Sequence, residues 1–200
     1  MATYPMVGIT GGVGCGKSEV GRILAGFGVK VVDADDVVHE LLQTDADLKR
    51  ALVHRFGTGI ARADGTICRA SLAEQVFADE VARRDLEKLI HPVVLDHLRR
   101  WVKEQRRCGP GAVLVPLLFE VDYIEGWDAI WCVSAKPGAV RERVRERGWS
   151  EAQLELRQAA QWPLSEKEKR ASRVLHNDGN RDELAAAVRQ AWDDVLKRST

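Results

Sequence analysis

Two hundred residues, 45% apolar and 30% charged, suit one globular domain with room for an inserted subdomain. Thirty basic residues balance thirty acidic ones, so no overall field favours nucleic acid, and no apolar run approaches the roughly 20 residues that span a bilayer. The N-terminus lacks the basic segment and long apolar core of a secretory leader, and the four scattered cysteines form no C-x-x-C pair, which argues against zinc and a disulfide framework and for a reducing cytoplasm.

Residues 6–9 are a short apolar run suited to a buried strand. Gly11-Gly12-Val13-Gly14-Cys15-Gly16-Lys17-Ser18 follows and reads G-x-x-x-x-G-K-S, the phosphate-loop pattern. Val20, Ile23 and Leu24 then fall at helical spacing, so the pattern stands between a strand and a helix, the context it requires. Its glycines let several backbone N–H groups converge on one anion. The helix that begins near Lys17 adds the positive end of its dipole. Lys17 is a mobile charge for the β- and γ-phosphates, and Ser18 offers a hydroxyl to Mg²⁺. Glu19 stands where such loops commonly carry Thr, and its carboxylate is expected to point away from the phosphates. The helix dipole favours a thiolate at Cys15, but the simpler reading is a small filler at a variable loop position.

Gly26-Phe27-Gly28 interrupts the pattern, and residues 29–32 make a second strand that runs into Asp33-Ala34-Asp35-Asp36. Helices are expected over 34–43 and 46–56, a loop over 57–66, and helices again over 70–78 and about 80–104. In the last of these, Leu86, Leu89, Ile90, Val93, Val94, Leu98 and Trp101 form one stripe, and Pro92 inside it should kink or restart the helix. Beyond Gly109-Pro110-Gly111, residues 112–115 are a third strand, leading into 116–120, and 129–133 are a fourth. A basic helix is expected over 137–147, and another over 150–161, opened by Ser150 with Gln153 as a capping box. Residues 174–176 are a fifth short strand, Asn177-Asp178-Gly179 a turn, and 181–197 the last helix. Strands alternating with crossover helices predict an α/β fold with a parallel sheet. The phosphate loop, Asp33 and the 116–120 segment then gather at the carboxyl ends of the strands, where such sheets bind ligands. The mostly helical insertion over 34–108 is expected to cap the sheet edge.

Asp33 follows directly on a strand next to the loop strand, so its carboxylate is placed to take the proton of an attacking hydroxyl. The plainer roles are a helix N-cap or an indirect Mg²⁺ contact; Asp35 or Asp36 would serve as the cap and leave Asp33 free. Arg141, Arg143, Arg145 and Arg147 read either as a solvated face or as a lid that brings guanidinium groups to a transferring phosphoryl. Arg143 and Arg147 share a face at i, i+4 and are the two selected, with Arg157 on the next helix. His91, just before Pro92, is more simply a helix terminator than an acceptor-phosphate contact. No N-K-x-D motif is present, which excludes a GTPase.

Taken together, the chain resembles the dephospho-CoA kinase family over nearly its whole length. Gly8-Ile9-Thr10 running into the loop is similar to the family's T-G-G-I-G-S-G-K-S, with Cys15 in place of serine. Val32-Asp33-Ala34-Asp35 followed by His39 matches I-D-A-D…A-H. His91-Pro92 matches H-P, and Val115-Pro116-Leu117-Leu118-Phe119-Glu120 matches V-P-L-L-F-E. Gln161-Trp162-Pro163…Lys167…Ala171…Val174-Leu175-His176-Asn177 tracks Q-x-P…K…A-D-x-V-I-x-N. The later signatures are far more specific than the loop.

The resemblance implies a three-layer P-loop kinase fold with a five-stranded parallel sheet, a helical substrate-binding insertion and a helical lid. The core would be 1–33, 109–136 and 171–200, the insertion 34–108 and the lid 137–170. It implies transfer of the ATP γ-phosphoryl to the ribose 3′-hydroxyl of dephospho-CoA, giving CoA and ADP with Mg²⁺. Asp33 would be the base, with Lys17, Arg143 and Arg147 neutralising the transferring group. ATP would meet Gly12, Val13, Gly14, Cys15, Gly16, Lys17, Ser18, Glu19 and Asn177, with Ser18 also on the metal. The acceptor would meet Asp35, His91, Pro116, Leu117, Glu120 and Arg157. The partners implied are ATP and dephospho-CoA, with no nucleic acid or membrane, for a cytoplasmic monomer or small homo-oligomer. Two positions depart from the family: Ser172, where Asp is usual, and Glu19. The competing readings are another small-molecule P-loop kinase, for a nucleoside, nucleotide or sugar acid, and a non-enzymatic nucleotide switch.

Overall fold

The computed structural model describes residues 3–77 and 79–198. In chain order the regular elements are β1 (Met6–Gly11), α1 (Lys17–Gly26), β2 (Lys30–Asp33), α2 (Ala34–Thr44), α3 (Ala46–Phe56), α4 (Arg69–Phe77), α5 (Glu80–Cys108), β3 (Gly111–Leu114), β4 (Ala129–Ser134), α6 (Pro137–Glu146), α7 (Glu151–Ala159), α8 (Leu164–Arg170), β5 (Arg173–His176) and α9 (Arg181–Arg198). They form two compact units, residues 1–33 with 101–200, and residues 34–100. None of the described helices is long and apolar enough to cross a membrane.

The larger unit is built on a sheet in the order β2-β3-β1-β4-β5. All four pairings are parallel, so each connection needs a crossover. The central strand reads as a continuous apolar run because both its faces are covered. On one face Val7 and Ile9 pack in a cluster with Val20 and Leu24 of α1 and Val188 and Trp192 of α9. Trp131 and Trp192 meet there edge to face, with centroids 6.5 Å apart. On the other face, a Cβ at Gly8 would stand 2.9 Å from Leu118 and 3.1 Å from Trp127, and a Cβ at Gly111 would crowd Met6 and Trp101. Helix-bearing layers on both sides of one parallel sheet make the expected three-layer α/β architecture. The register aligns Asp33 with Leu114 and Leu114 with Ile9. Asp33 therefore lies two strands, about 10 Å, from the strand that carries the phosphate loop.

Among its described residues, the regular structure of the smaller unit is helical, with a 3-10 turn at Thr58–Ile60 and an isolated antiparallel bridge between Ala61 and Ile67. Asp45 caps α3, its side chain accepting from the Leu48 amide at 2.8 Å. Val37, Leu41, Leu48, Leu52, Ile60, Ile67, Leu72, Ile90, Val94 and Leu98 are buried.

Three expectations change, and a fourth lies partly outside the described residues. The helix expected over 70–78 is described to Phe77; residue 78 lies outside the described residues. Pro92 does not restart the helix, because α5 is continuous from Glu80 to Cys108. Pro92 and Lys88, whose carbonyl loses its donor, are both exposed, while Ile90, Val94 and Leu98 are buried. α2 begins at Ala34, which puts Asp35 and Asp36 in its first turn, so neither is the cap. Finally, α8 is a helix that the apolar pattern does not announce, for a reason that bears on the site below.

Candidate active site

The phosphate loop leaves β1 at Gly11 and re-enters regular structure at Lys17. Three of its positions demand glycine, the first being Gly11, at φ 143° and with no room for a Cβ against the Val133 backbone. Gly14 has φ 72° and Gly16 φ 102°, the left-handed region that L side chains rarely adopt. Space requires them as well: a Cβ on Gly14 would press Val144 at 3.0 Å and Val140 at 3.1 Å, and one on Gly16 would run into the Asn177 amide. Gly16 is also the N-cap residue of α1, so the first-turn amides of that helix open toward the loop. Lys17 Nζ donates to the carbonyls of Gly11 (3.0 Å) and Gly12 (2.9 Å), and the Ser18 side chain is exposed at the start of α1. Such a loop concentrates amide donors, a helix terminus and an ammonium on one small volume, which fits a phosphate chain.

Asn177 is 8% exposed and acts as a strut beneath the loop. Its Nδ2 donates to the Cys15 carbonyl (2.9 Å) and its own amide donates to the Ser134 carbonyl (2.8 Å). Its carbonyl accepts from Arg143 Nη2 at 2.7 Å. Arg143 is thus turned inward from α6 toward the loop, and its Nη1 is buried without a hydrogen bond. The other arginines separate from it. Arg147 is exposed just past α6, Arg141 pairs with Glu151 at 2.7 Å, and Arg157 lies over the Trp149 ring at 4.2 Å. Arg143 and Arg147 share a helical face in projection, but only Arg143 is drawn inward.

Val13, Gly12 and Cys15 form one wall of a pocket of about 440 Å³ whose other walls are Val140 and Arg141 of α6, Leu154 and Gln158 of α7, and Trp162 with Leu164. Cys15 is only 1% exposed, and burial pushes its thiol above the ordinary range despite the nearby Lys17. Cys132, also buried, is pushed up to about 12. Both behave as packing groups, as the filler reading of Cys15 requires. Titration of the native protein with a chromogenic disulfide should therefore show Cys108, which is exposed, and Cys68, whose thiol Ser71 holds below the usual range, reacting first. Cys15 and Cys132 should appear only at the rate of unfolding; prompt reaction of Cys15 would refute its packing role.

Asp33 closes β2, half-buried, on the sheet face it shares with Val31 and Leu114. Those two residues approach Gly21 of α1, so Asp33 lies on the side of the sheet that α1 covers. Beside it, the segment after β3 is held at one carbonyl. Pro116 O accepts from Thr10 Oγ1 at 3.1 Å and from Lys167 Nζ at 2.7 Å. Lys167 is fully buried and also binds Glu120 Oε1 (2.8 Å) and Gln161 Oε1 (3.1 Å). Glu120 Oε1 further accepts the Trp162 amide at 2.8 Å, while its Oε2 is buried without a hydrogen bond. Glu120, expected as an acceptor contact, is here half of a buried ion pair; Pro116 and Leu117 are half-buried. Thr10 and Lys167 were not among the candidate residues. Lys167 enters the sequence argument only through the spacing of the Q-x-P…K signature, because a lysine carries no apolar signal.

In the smaller unit, Asp35 is exposed on the first turn of α2. His91 is half-buried within α5, where burial holds its imidazole below the ordinary value and Glu87 offsets part of that. The two departures are also accounted for locally. Glu19 points to cations, pairing with Arg22 and with Arg181 Nε at 2.8 Å, as expected of a carboxylate kept away from phosphates. Ser172 Oγ accepts from the Ile130 amide (3.0 Å) and donates to the Ile130 carbonyl (2.8 Å). A carboxylate could only accept there. Ser172 precedes β5, at the end of the sheet opposite the loop. Ser172→Asp should therefore cost about 1 kcal/mol in a thermal melt and leave turnover unchanged; a large loss of turnover would show that this edge matters to the reaction.

Known proteins can now be set beside this geometry. A family model described as Dephospho-CoA kinase matches residues 5–183. The chain belongs to the dephospho-CoA kinase family. A dephospho-CoA kinase of Symbiobacterium thermophilum is 38% identical over 190 residues, covering 94% of this chain and 80% of the relative. One of Thermosynechococcus vestitus is 39% identical over 197 residues, covering 96% and 95%. A crystal structure from Thermus thermophilus superposes with a TM-score of 0.76 at 31% identity, over 96% of this chain and 98% of that one. Members of the dephospho-CoA kinase family are kinases that use ATP, and the family's role lies in CoA biosynthesis. The phosphate loop, the Val115–Glu120 segment and the Gln161-to-Asn177 stretch all fall inside the matched span.

Proposed function

We propose that this protein phosphorylates the ribose 3′-hydroxyl of dephospho-CoA with ATP, and that Asp33 is the base. The observation that supports this most is the position of Asp33: the last residue of β2, on the sheet face covered by α1, two strands from the phosphate loop. An acceptor hydroxyl presented in that interval loses its proton to the carboxylate as its oxygen attacks the γ-phosphorus. The bond from the γ-phosphorus to the bridging oxygen breaks, and ADP leaves on the loop.

Lys17, released from the Gly11 and Gly12 carbonyls, follows the charge onto the β- and γ-phosphates. Arg143, with an unpaired buried Nη1 beside the loop, is the arginine best prepared to meet the transferring group; Arg147 and Arg157 would have to leave solvent and the Trp149 ring to join it. Gly12 to Glu19 contact ATP through backbone amides, and Asn177 holds the loop in register for it. Pro116 and Leu117 serve the acceptor, with Glu120 holding their segment through Lys167 and the Trp162 amide; residues 34–108, with Asp35 and His91, are the acceptor-binding region and 137–170 the lid.

Ser18 and the phosphate oxygens are hard oxygen donors suited to Mg²⁺. When bound, that ion neutralises phosphate charge. A cytoplasmic setting belongs to the same proposal.

Acceptor-dependent ADP release tests the reading. Dephospho-CoA should stimulate it strongly. Stimulation by a nucleoside, nucleotide or sugar acid instead would assign another kinase, and nucleotide binding without stimulation by any acceptor would point to a switch.

A further inference from the structure

We propose that Lys167 and Thr10 are positioning residues for phosphoryl transfer, which together fix the strand end beside Asp33 by both donating to the Pro116 carbonyl. The inference rests on the kinase reading above. The last backbone bond between β1 and the β3 extension is the Val115 amide to the Ile9 carbonyl, 2.8 Å. The next residue is Pro116, which has no N–H and begins a turn. What then holds its carbonyl is side-chain chemistry. Thr10, 0% exposed, reaches it from the loop-bearing strand, and Lys167, 0% exposed, reaches it from α8.

Lys167 has three N–H donors and gives them to the oxygens of Pro116, Glu120 and Gln161. It therefore pins the segment after β3 at its first and fifth residues. The Trp162 amide on Glu120 ties the same segment to the chain returning from α7. A buried ammonium is a poor choice for stability alone, since an apolar replacement of a buried ion pair is often neutral or better. Three directed bonds give what an apolar side chain cannot: a fixed position and orientation. Leu114, two residues before Pro116, is the register partner of both Asp33 and Ile9. A shift at Pro116 is thus passed to the two strands between which the acceptor must fit.

The test measures kcat, KM for both substrates and melting temperature for the full chain carrying Lys167→Met, Thr10→Val, both together, and Thr10→Ser. Rates are counted per nucleotide-binding site. Lys167→Met should lower kcat at least about tenfold, in keeping with the cost of small misplacements at a reacting centre, with ATP affinity within about threefold of the parent. Thr10→Val should lower kcat by a smaller factor, and Thr10→Ser, which keeps the donor, should restore it. The double variant should lose less than the product of the two, because both act on one carbonyl. If Lys167→Met does not fold, the Val and Ser variants of Thr10 decide. Variants that melt lower but keep kcat per site within about twofold of the parent would reduce both residues to structural parts and overturn the inference. A parent protein without dephospho-CoA-dependent turnover would overturn the functional reading, and this inference with it.

Discussion

Asp33→Asn should lower kcat by about 10²–10⁴, the usual worth of a positioned base, and leave ATP affinity nearly unchanged. The substitution keeps the size of the side chain and removes its negative charge together with its capacity to take a proton. Asp33 lies two strands from the phosphate loop rather than within it, so the nucleotide's own contacts should survive. α2 starts at the very next residue, which makes capping the chief rival explanation. Asparagine caps helices about as well as aspartate, so the same variant separates the two roles. A melting temperature close to the parent's with turnover lost excludes capping as the explanation and supports the base, whereas full turnover would eliminate it. Rapid-quench measurement of a single turnover, with nucleotide affinity titrated separately, gives both numbers.

Lys17→Ala should act on binding and rate together. A charged hydrogen bond to phosphate is worth about 1.5–3 kcal/mol, so KM for ATP should rise by about tenfold or more. Loss of the same charge in the transition state should lower kcat by about 10²–10³. The structure adds a second route to the loss. Lys17 Nζ also ties down the Gly11 and Gly12 carbonyls, so the loop loses an internal brace as well as a cation. Lys17→Arg should not restore activity, because the planar guanidinium is too large and too differently directed to satisfy those two carbonyls. An unchanged KM for ATP in Lys17→Ala would contradict the assignment.

Much of this fold is legible in one dimension because its signals are local. β1, β3 and β4 are apolar runs between turn residues, and the helices α1, α2, α3, α6 and α9 carry apolar residues at helical spacing. Ser150 with Gln153 forms the capping box its spacing announces. The phosphate loop is legible for the same reason: its glycines answer to φ angles that only short-range geometry sets. Pro92 shows where a local signal does not end an element, since α5 runs through it with Ile90, Val94 and Leu98 buried on one face.

The sequence by itself determined the order of the elements, the anion-binding loop and the carboxylate that ends β2, because each depends on neighbours in the chain. Only the tertiary structure decided which arginine turns inward, that Asn177 braces the loop, and that Lys167 is buried. α8 has a single apolar residue, Leu164, and its inward side chain is a lysine whose oxygen partners come from residues 116, 120 and 161. No pattern along seven residues records such a partnership. Burial of a charge is set by where distant oxygens converge, and that is fixed only when the strands and helices have packed.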